Sequence, residues 1–101
     1  MADVHATFQL AESAPDTLQV SGALTFATAA DALSAINAAV ARNGRRQIDL
    51  AGVQHSDSAG LACVLAVLSE AAKQGCKLAL RNVPEGMRVL AQVCEVDALI
   101  A

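Results

Sequence analysis

Aromatic residues are nearly missing from this chain of 101 residues. There is no Trp and no Tyr, and only Phe8 and Phe26 supply ring bulk. Single-stranded nucleic acid is held on aromatic stacking platforms, which this composition does not provide. A basic excess is lacking too: ten acidic residues face seven Lys and Arg, for a net charge of −3. Duplex binding needs a positive field, so nucleic acid is not expected as a partner. Long apolar runs are also absent. The longest nearly unbroken one, Ala59–Leu68, has ten residues, against about 20 needed to span a bilayer. Direct membrane insertion is therefore not expected.

The start of the chain, Met1-Ala2-Asp3-Val4-His5, has neither a basic region nor a hydrophobic stretch. No signal peptide is read there, and a cytoplasmic protein is expected. The three cysteines, Cys63, Cys76 and Cys94, are odd in number and form no C-x-x-C pair, as suits buried thiols in a reducing compartment. A metal site would require Cys and His to converge from scattered positions, so no metal is expected. Walker-type glycine loops, paired carboxylates and His clusters are all missing. His55, Asp57 and Ser58 lie too close along one loop to converge into a nucleophilic triad. The sequence thus names no catalytic residue and no cofactor, and a non-enzyme is expected.

What is present is a high apolar content, 54%, drawn mainly from Ala, Val, Leu and Ile. A chain of this size can bury a core without disulfides or metals. No repeat, low-complexity stretch or linker interrupts it, so residues 1–101 read as a single domain. Ala6–Leu10 and Thr17–Ser21 alternate polar and apolar residues, the period of a half-buried strand. Turn chemistry at 12–16 joins them into an expected hairpin, with Gly22 ending the second strand. From Thr28 to about Ala41, Leu33, Ile36 and Val40 recur at helical spacing, with Thr25 or Thr28 as cap and Asn43-Gly44 as stop.

Gln47–Leu50 reads as a short strand, Ala59–Gln74 as a second helix ended by Gly75, and Lys77–Arg81 as another strand. Pro84 is placed to open a third helix running to about Cys94, with Met87, Leu90 and Cys94 as its inner stripe. Val96–Ile100 is left unassigned. The order β-β-α-β-α-β-α requires right-handed crossovers. It predicts an α/β fold with a mixed, mostly parallel sheet of four to five strands covered by helices, the hairpin giving an antiparallel edge.

The segment Val53-Gln54-His55-Ser56-Asp57-Ser58-Ala59-Gly60-Leu61 joins a strand end to a helix start, where open α/β sheets place functional loops. Asp57 or Ser58 is the natural N-cap, accepting hydrogen bonds from the free amides of the first turn. Gly60 costs the helix roughly 1 kcal/mol relative to Ala, which suggests a close approach of another backbone. Leu61, Val64, Leu65, Leu68 and Ala72 form a core stripe. Rotated away lies a second, small-chained face of Ala59, Ala62, Cys63, Ala66 and Val67. That face is either buried by the domain itself or left open for a partner. Arg42, Arg45 and Arg46 make a basic spot that reads as a solvated turn, or as a contact with an acidic partner or anionic headgroups. His5 and His55 read as solvent-facing loop residues.

Ile48-Asp49-Leu50-Ala51-Gly52-Val53 followed by Ser56-Asp57-Ser58-Ala59-Gly60-Leu61 resembles the signature of STAS domains. This fold is shared by anti-sigma-factor antagonists and the cytoplasmic tails of sulfate transporters. The resemblance runs over nearly the whole chain, including the Lys73–Lys77 turn and the helix after Asn82-Val83-Pro84. Anti-sigma-factor antagonists typically read Asp-Ser-Ser-Gly and are phosphorylated on the second hydroxyl, a position held here by Ala59. With Ala before Gly the sequence is more similar to MlaB-type STAS proteins, which bind and stabilise the ATPase of a phospholipid ABC transporter maintaining outer-membrane lipid asymmetry.

The resemblance implies that Ser58 lies at the contact with an ABC transporter ATPase subunit, itself joined to a permease. The chain would then sit in the cytoplasm, peripherally on the inner membrane through that partner. The residues expected to bind it are Asp57, Ser58, Ala59, Gly60, Ala62, Cys63 and Ala66. The alternative is an anti-sigma-factor antagonist in a partner-switching cascade, with Ser58 as the remaining hydroxyl.

Overall fold

The computed structural model describes residues 7–14, 16–43 and 46–100. Four strands, β1 (Phe8–Ala14), β2 (Thr17–Leu24), β3 (Gln47–Ser56) and β4 (Ala79–Arg81), form one sheet in the order β1-β2-β3-β4. The β1–β2 pair is antiparallel, and β2–β3 and β3–β4 are parallel. Helices α1 (Ala29–Asn43), α2 (Ser58–Lys73) and α3 (Glu85–Val93) provide the connections and the cover, and a 3-10 turn follows at Asp97–Leu99. The expected element order and the antiparallel edge strand are both present. The sheet has four strands.

Alternation sets the faces. Leu18 and Val20 of β2 and Ile48 and Leu50 of β3 are buried, while Gln19 between the first pair is exposed. One face of the sheet therefore carries the core, with Ile36, Val40, Leu61, Val64, Val67 and Met87 from the helices packed on it, and the other stays polar. Beyond Leu50 the inward residue is Val53, three positions on. The cause is the pairing: Gln19–Ser21 of β2 lies opposite Asp49–Gly52, and Gly22–Ala23 lies opposite Val53–His55. Each step gives β3 one extra residue, the signature of a bulge. The strand thus continues to Ser56 where strict alternation had ended it at Leu50.

Gly22 likewise does not end β2. It lies within the strand at φ +89, and a Cβ there would meet the Thr7 carbonyl oxygen at 2.5 Å. Ahead of α1, the Thr25 carbonyl accepts from the Ala29 amide (2.8 Å), and the Thr28 side chain bonds back towards the strand end. The Thr28 hydroxyl accepts from the Thr25 amide (2.9 Å), as the third helical residue does in a capping box, and donates to the Ala23 carbonyl (2.8 Å). Pro84 occupies the cap position of α3, one residue before the helix starts. On α3, Met87 and Ala91 are buried, Leu90 is half-buried and Cys94 is exposed.

Both later helices stop in the same way. After α2, the amides of Gly75 and Cys76 bond back to the carbonyls of Ala72 and Ala71 (3.0 and 2.9 Å). After α3, those of Glu95 and Val96 bond back to Gln92 and Ala91 (3.1 and 2.8 Å). This double closure needs a left-handed residue. It is Gly75 in one case (φ +78) and the non-glycine Glu95 in the other (φ +61). The His5, Gly44 and Arg45 readings fall outside the described residues, while Arg42, Arg46 and His55 are exposed.

Candidate docking site at the start of α2

The site is assembled where β2 ends, β3 ends and α2 begins. Asp57 is the N-cap of α2, in an extended conformation (φ −138, ψ −167). Its Oδ1 accepts from the amides of Ala59 (2.9 Å) and Gly60 (3.1 Å), and its Oδ2 accepts from the amide of Phe26 (3.0 Å) on the β2–α1 loop. One carboxylate therefore caps the helix and ties down a loop 31 residues away in sequence. These contacts favour the ionised form and hold the Asp57 carboxyl below the usual carboxylate range. The Phe26 amide is the largest cause, and slight burial opposes the effect.

Gly60 is the second fixed point. The Leu24 carbonyl oxygen accepts from the Asp57 amide (3.3 Å) and lies directly against the Gly60 Cα. A Cβ at Gly60 would collide with that oxygen, and would stand 2.9 Å from the Leu24 carbonyl carbon and 3.1 Å from its Cβ. The backbone approach that the glycine suggested in sequence is thus the end of β2.

The seven residues expected to bind a partner are distributed unequally. Asp57, Ser58 and Ala62 are exposed, Ala59 and Ala66 are half-buried, and Gly60 is buried against Leu24. Cys63 departs from the expectation: it is 4% exposed and belongs to the core cluster, where burial pushes its thiol pKa up. Val67 is buried as well, whereas Leu65 and Leu68, read as core, are half-buried and Ala72 is exposed. The inner stripe is Gly60, Leu61, Cys63, Val64, Val67 and Ala71, turned by about one position from the one the leucines suggested. The small residues face inward because Gly60 brings that side of the first turn onto β2. The outer strip is therefore narrower, with Ser58 and Ala62 one turn apart on the exposed side.

The sequence reading missed Phe26. It counted only as aromatic bulk, yet it is 86% exposed beside Asp57, while Phe8 is half-buried against the core. The available signal was its place between a strand end and a helix start, two residues before Thr28. Among the described residues no group of three His, Cys, Asp or Glu side chains could hold a metal ion, and no helix is long and apolar enough to cross a membrane.

The fold, a mixed four-stranded sheet with three helices, is similar to that of solved structures of an anti-sigma-factor antagonist. The unphosphorylated form of SpoIIAA is 22% identical, with a TM-score of 0.63 over 85% of this chain and 82% of that one. The phosphorylated form of the Bacillus cell fate determinant SpoIIAA is 20% identical, with a TM-score of 0.67 over 94% of this chain and 89% of that one. At that identity the likeness defines a class of fold. Residues 7–101 match the family described as MlaB, STAS domain, and the chain belongs to that family. No curated protein sequence matches it. STAS domains are protein-interaction modules.

Proposed function

We propose that this chain is a non-catalytic subunit that docks onto the ATPase of a phospholipid-transporting ABC complex and stabilises it, serving outer-membrane lipid asymmetry. Asp57, Ser58, Ala59, Gly60, Ala62 and Ala66 build the contact. Asp57 and Gly60 shape it, Ser58 offers a small hydrogen-bonding group, and Ala62 leaves room for a partner helix to approach closely. The observation that carries the reading is the exposure of Ser58 on the first turn of a helix whose cap is tied to a second loop. Membership of the MlaB-type STAS family supports the choice of partner. On this reading the protein works in the cytoplasm and reaches the inner membrane only through the ATPase and its permease.

The test is co-elution of the purified chain with its cognate ATPase on size exclusion. Ser58→Arg places a long charged side chain on the exposed turn. It is expected to abolish co-elution while leaving the far-UV spectrum and Tm unchanged. Co-elution of this variant at the wild-type level refutes the reading.

A second function, antagonism of an anti-sigma factor, is favoured by the likeness to SpoIIAA, one structure of which is the phosphorylated form, together with the exposed Ser58 hydroxyl. Ala59 counts against it, since it stands where such antagonists typically carry the accepting hydroxyl. Intact-mass measurement after incubation with an anti-sigma kinase separates the two. A stable phosphate on Ser58 establishes the second function, and an unmodified mass removes it.

A further inference from the structure

We infer that Phe26 is the apolar anchor of this docking surface, its ring entering an apolar socket on the ATPase beside the contact made by Ser58. The inference rests on the docking reading above and adds the residue that dominates affinity. Phe26 is one of only two aromatic residues in the chain, and at 86% exposure it is the most exposed large apolar side chain among the described residues. Val89, Val93 and Leu99 are also exposed, but they lie on α3 and the 3-10 turn rather than on the loop that Asp57 holds.

The Phe26 backbone is braced on every side. Its own amide donates to Asp57 Oδ2 (3.0 Å). On one flank the Thr25 amide donates to the Thr28 hydroxyl, and on the other the amides of Thr28 and Ala29 donate to the Thr25 carbonyl (2.9 and 2.8 Å). The Thr28 side chain that completes this brace is 4% exposed and is anchored to the Ala23 carbonyl. A ring carried on a backbone already ordered loses little freedom on docking. Interfaces concentrate their energy in a few such aromatic anchors, surrounded by small contacts that exclude water. Ser58 follows directly on the Asp57 that holds the Phe26 amide, and its exposed side chain is of the size such small contacts need.

The charge pattern selects a protein socket over a lipid surface. The chain carries a net −3, and the Asp57 carboxylate that holds the Phe26 amide is kept ionised by its hydrogen bonds. Anionic headgroups repel such a surface.

The test is calorimetric titration of the cognate ATPase with the wild-type chain, Phe26→Ala, Phe26→Leu and Ser58→Arg, alongside the Tm of each. Phe26→Ala is expected to weaken binding by about thirtyfold or more, the effect of removing an interface hot spot. Phe26→Leu is expected to fall between, and both should keep the wild-type Tm. Phe26→Ala binding within about threefold of wild type, while Ser58→Arg does not bind, overturns the anchor and leaves the docking reading standing. A wild-type chain that does not bind the ATPase overturns both. Flotation of the wild-type chain, but not of Phe26→Ala, with vesicles of phosphatidylethanolamine and phosphatidylglycerol assigns the ring to the membrane and also overturns the inference.

Discussion

Replacing Gly60 by Ala sets two physical effects against each other, and the structure decides the sign. Helix propensity alone favours Ala over Gly by about 1 kcal/mol in a helix interior. At Gly60, however, the added methyl collides with the Leu24 carbonyl oxygen, with the Leu24 carbonyl carbon at 2.9 Å and its side chain at 3.1 Å. Backbone on both sides of the contact leaves no flexible side chain to yield, and overpacking of this kind costs about 1–3 kcal/mol. Pushing α2 away from β2 also strains the Asp57–Leu24 hydrogen bond and the cap on Gly60, each worth about 1 kcal/mol.

The net expectation for Gly60→Ala is a loss of about 2–3 kcal/mol, or roughly 10–20 °C in Tm for a domain of this size. Gly86 on α3 is the matched control, since a Cβ there meets nothing within 4 Å. Gly86→Ala should gain up to about 1 kcal/mol, a rise of a few degrees. Urea melts and thermal scans followed by far-UV circular dichroism measure both. A Gly60→Ala protein as stable as wild type would refute the close approach of β2 and α2.

Three further outcomes follow from the same contacts. Asp57→Ala should cost about 1 kcal/mol at pH 7 through the lost cap. Because the folded carboxyl titrates below its unfolded value, that stabilisation is present above about pH 4 and fades as pH falls through the folded pKa. The Tm gap between wild type and variant should therefore close on acidification, and a gap that widens contradicts the Asp57 contacts. Thiol titration of the native chain should label exposed Cys94 first and reach buried Cys63, whose pKa is raised, only on unfolding; immediate labelling of all three would place Cys63 outside the core. Glu95→Gly should raise stability by about 0.5–1 kcal/mol by relieving a left-handed residue at the end of α3, and a lower urea midpoint would disprove that gain.

Periodicity disclosed the order of elements, and the limits of what it disclosed are physical. Ile48 and Leu50 announced β3, but the bulges that follow move the inward position to Val53. A two-residue period cannot see past such a shift. On α2 the leucines pointed to one core stripe because size is the visible signal, while the true stripe runs through Gly60, Cys63 and Ala71. Close approach of backbones selects small residues, and a sequence cannot distinguish them from small residues left outside. Asp57 and Gly60 were legible because a cap and a costly glycine each violate helix propensity locally. Phe26 was not, since the bond that ties its backbone to the site comes from Asp57, 31 residues later.

The Leu24 carbonyl both receives the Asp57 amide and seats Gly60, so the proposed contact and the cohesion of the fold share a single backbone atom. Leu24 belongs to β2, which is hydrogen-bonded to strands on both sides. The corner that would meet a partner is therefore joined through Leu24 to an inner strand of the sheet, and opening it would disturb that strand as well. A ligand gripping that corner would slow global denaturation as well as local fluctuation, so occupancy becomes readable as heat resistance that grows with ligand concentration.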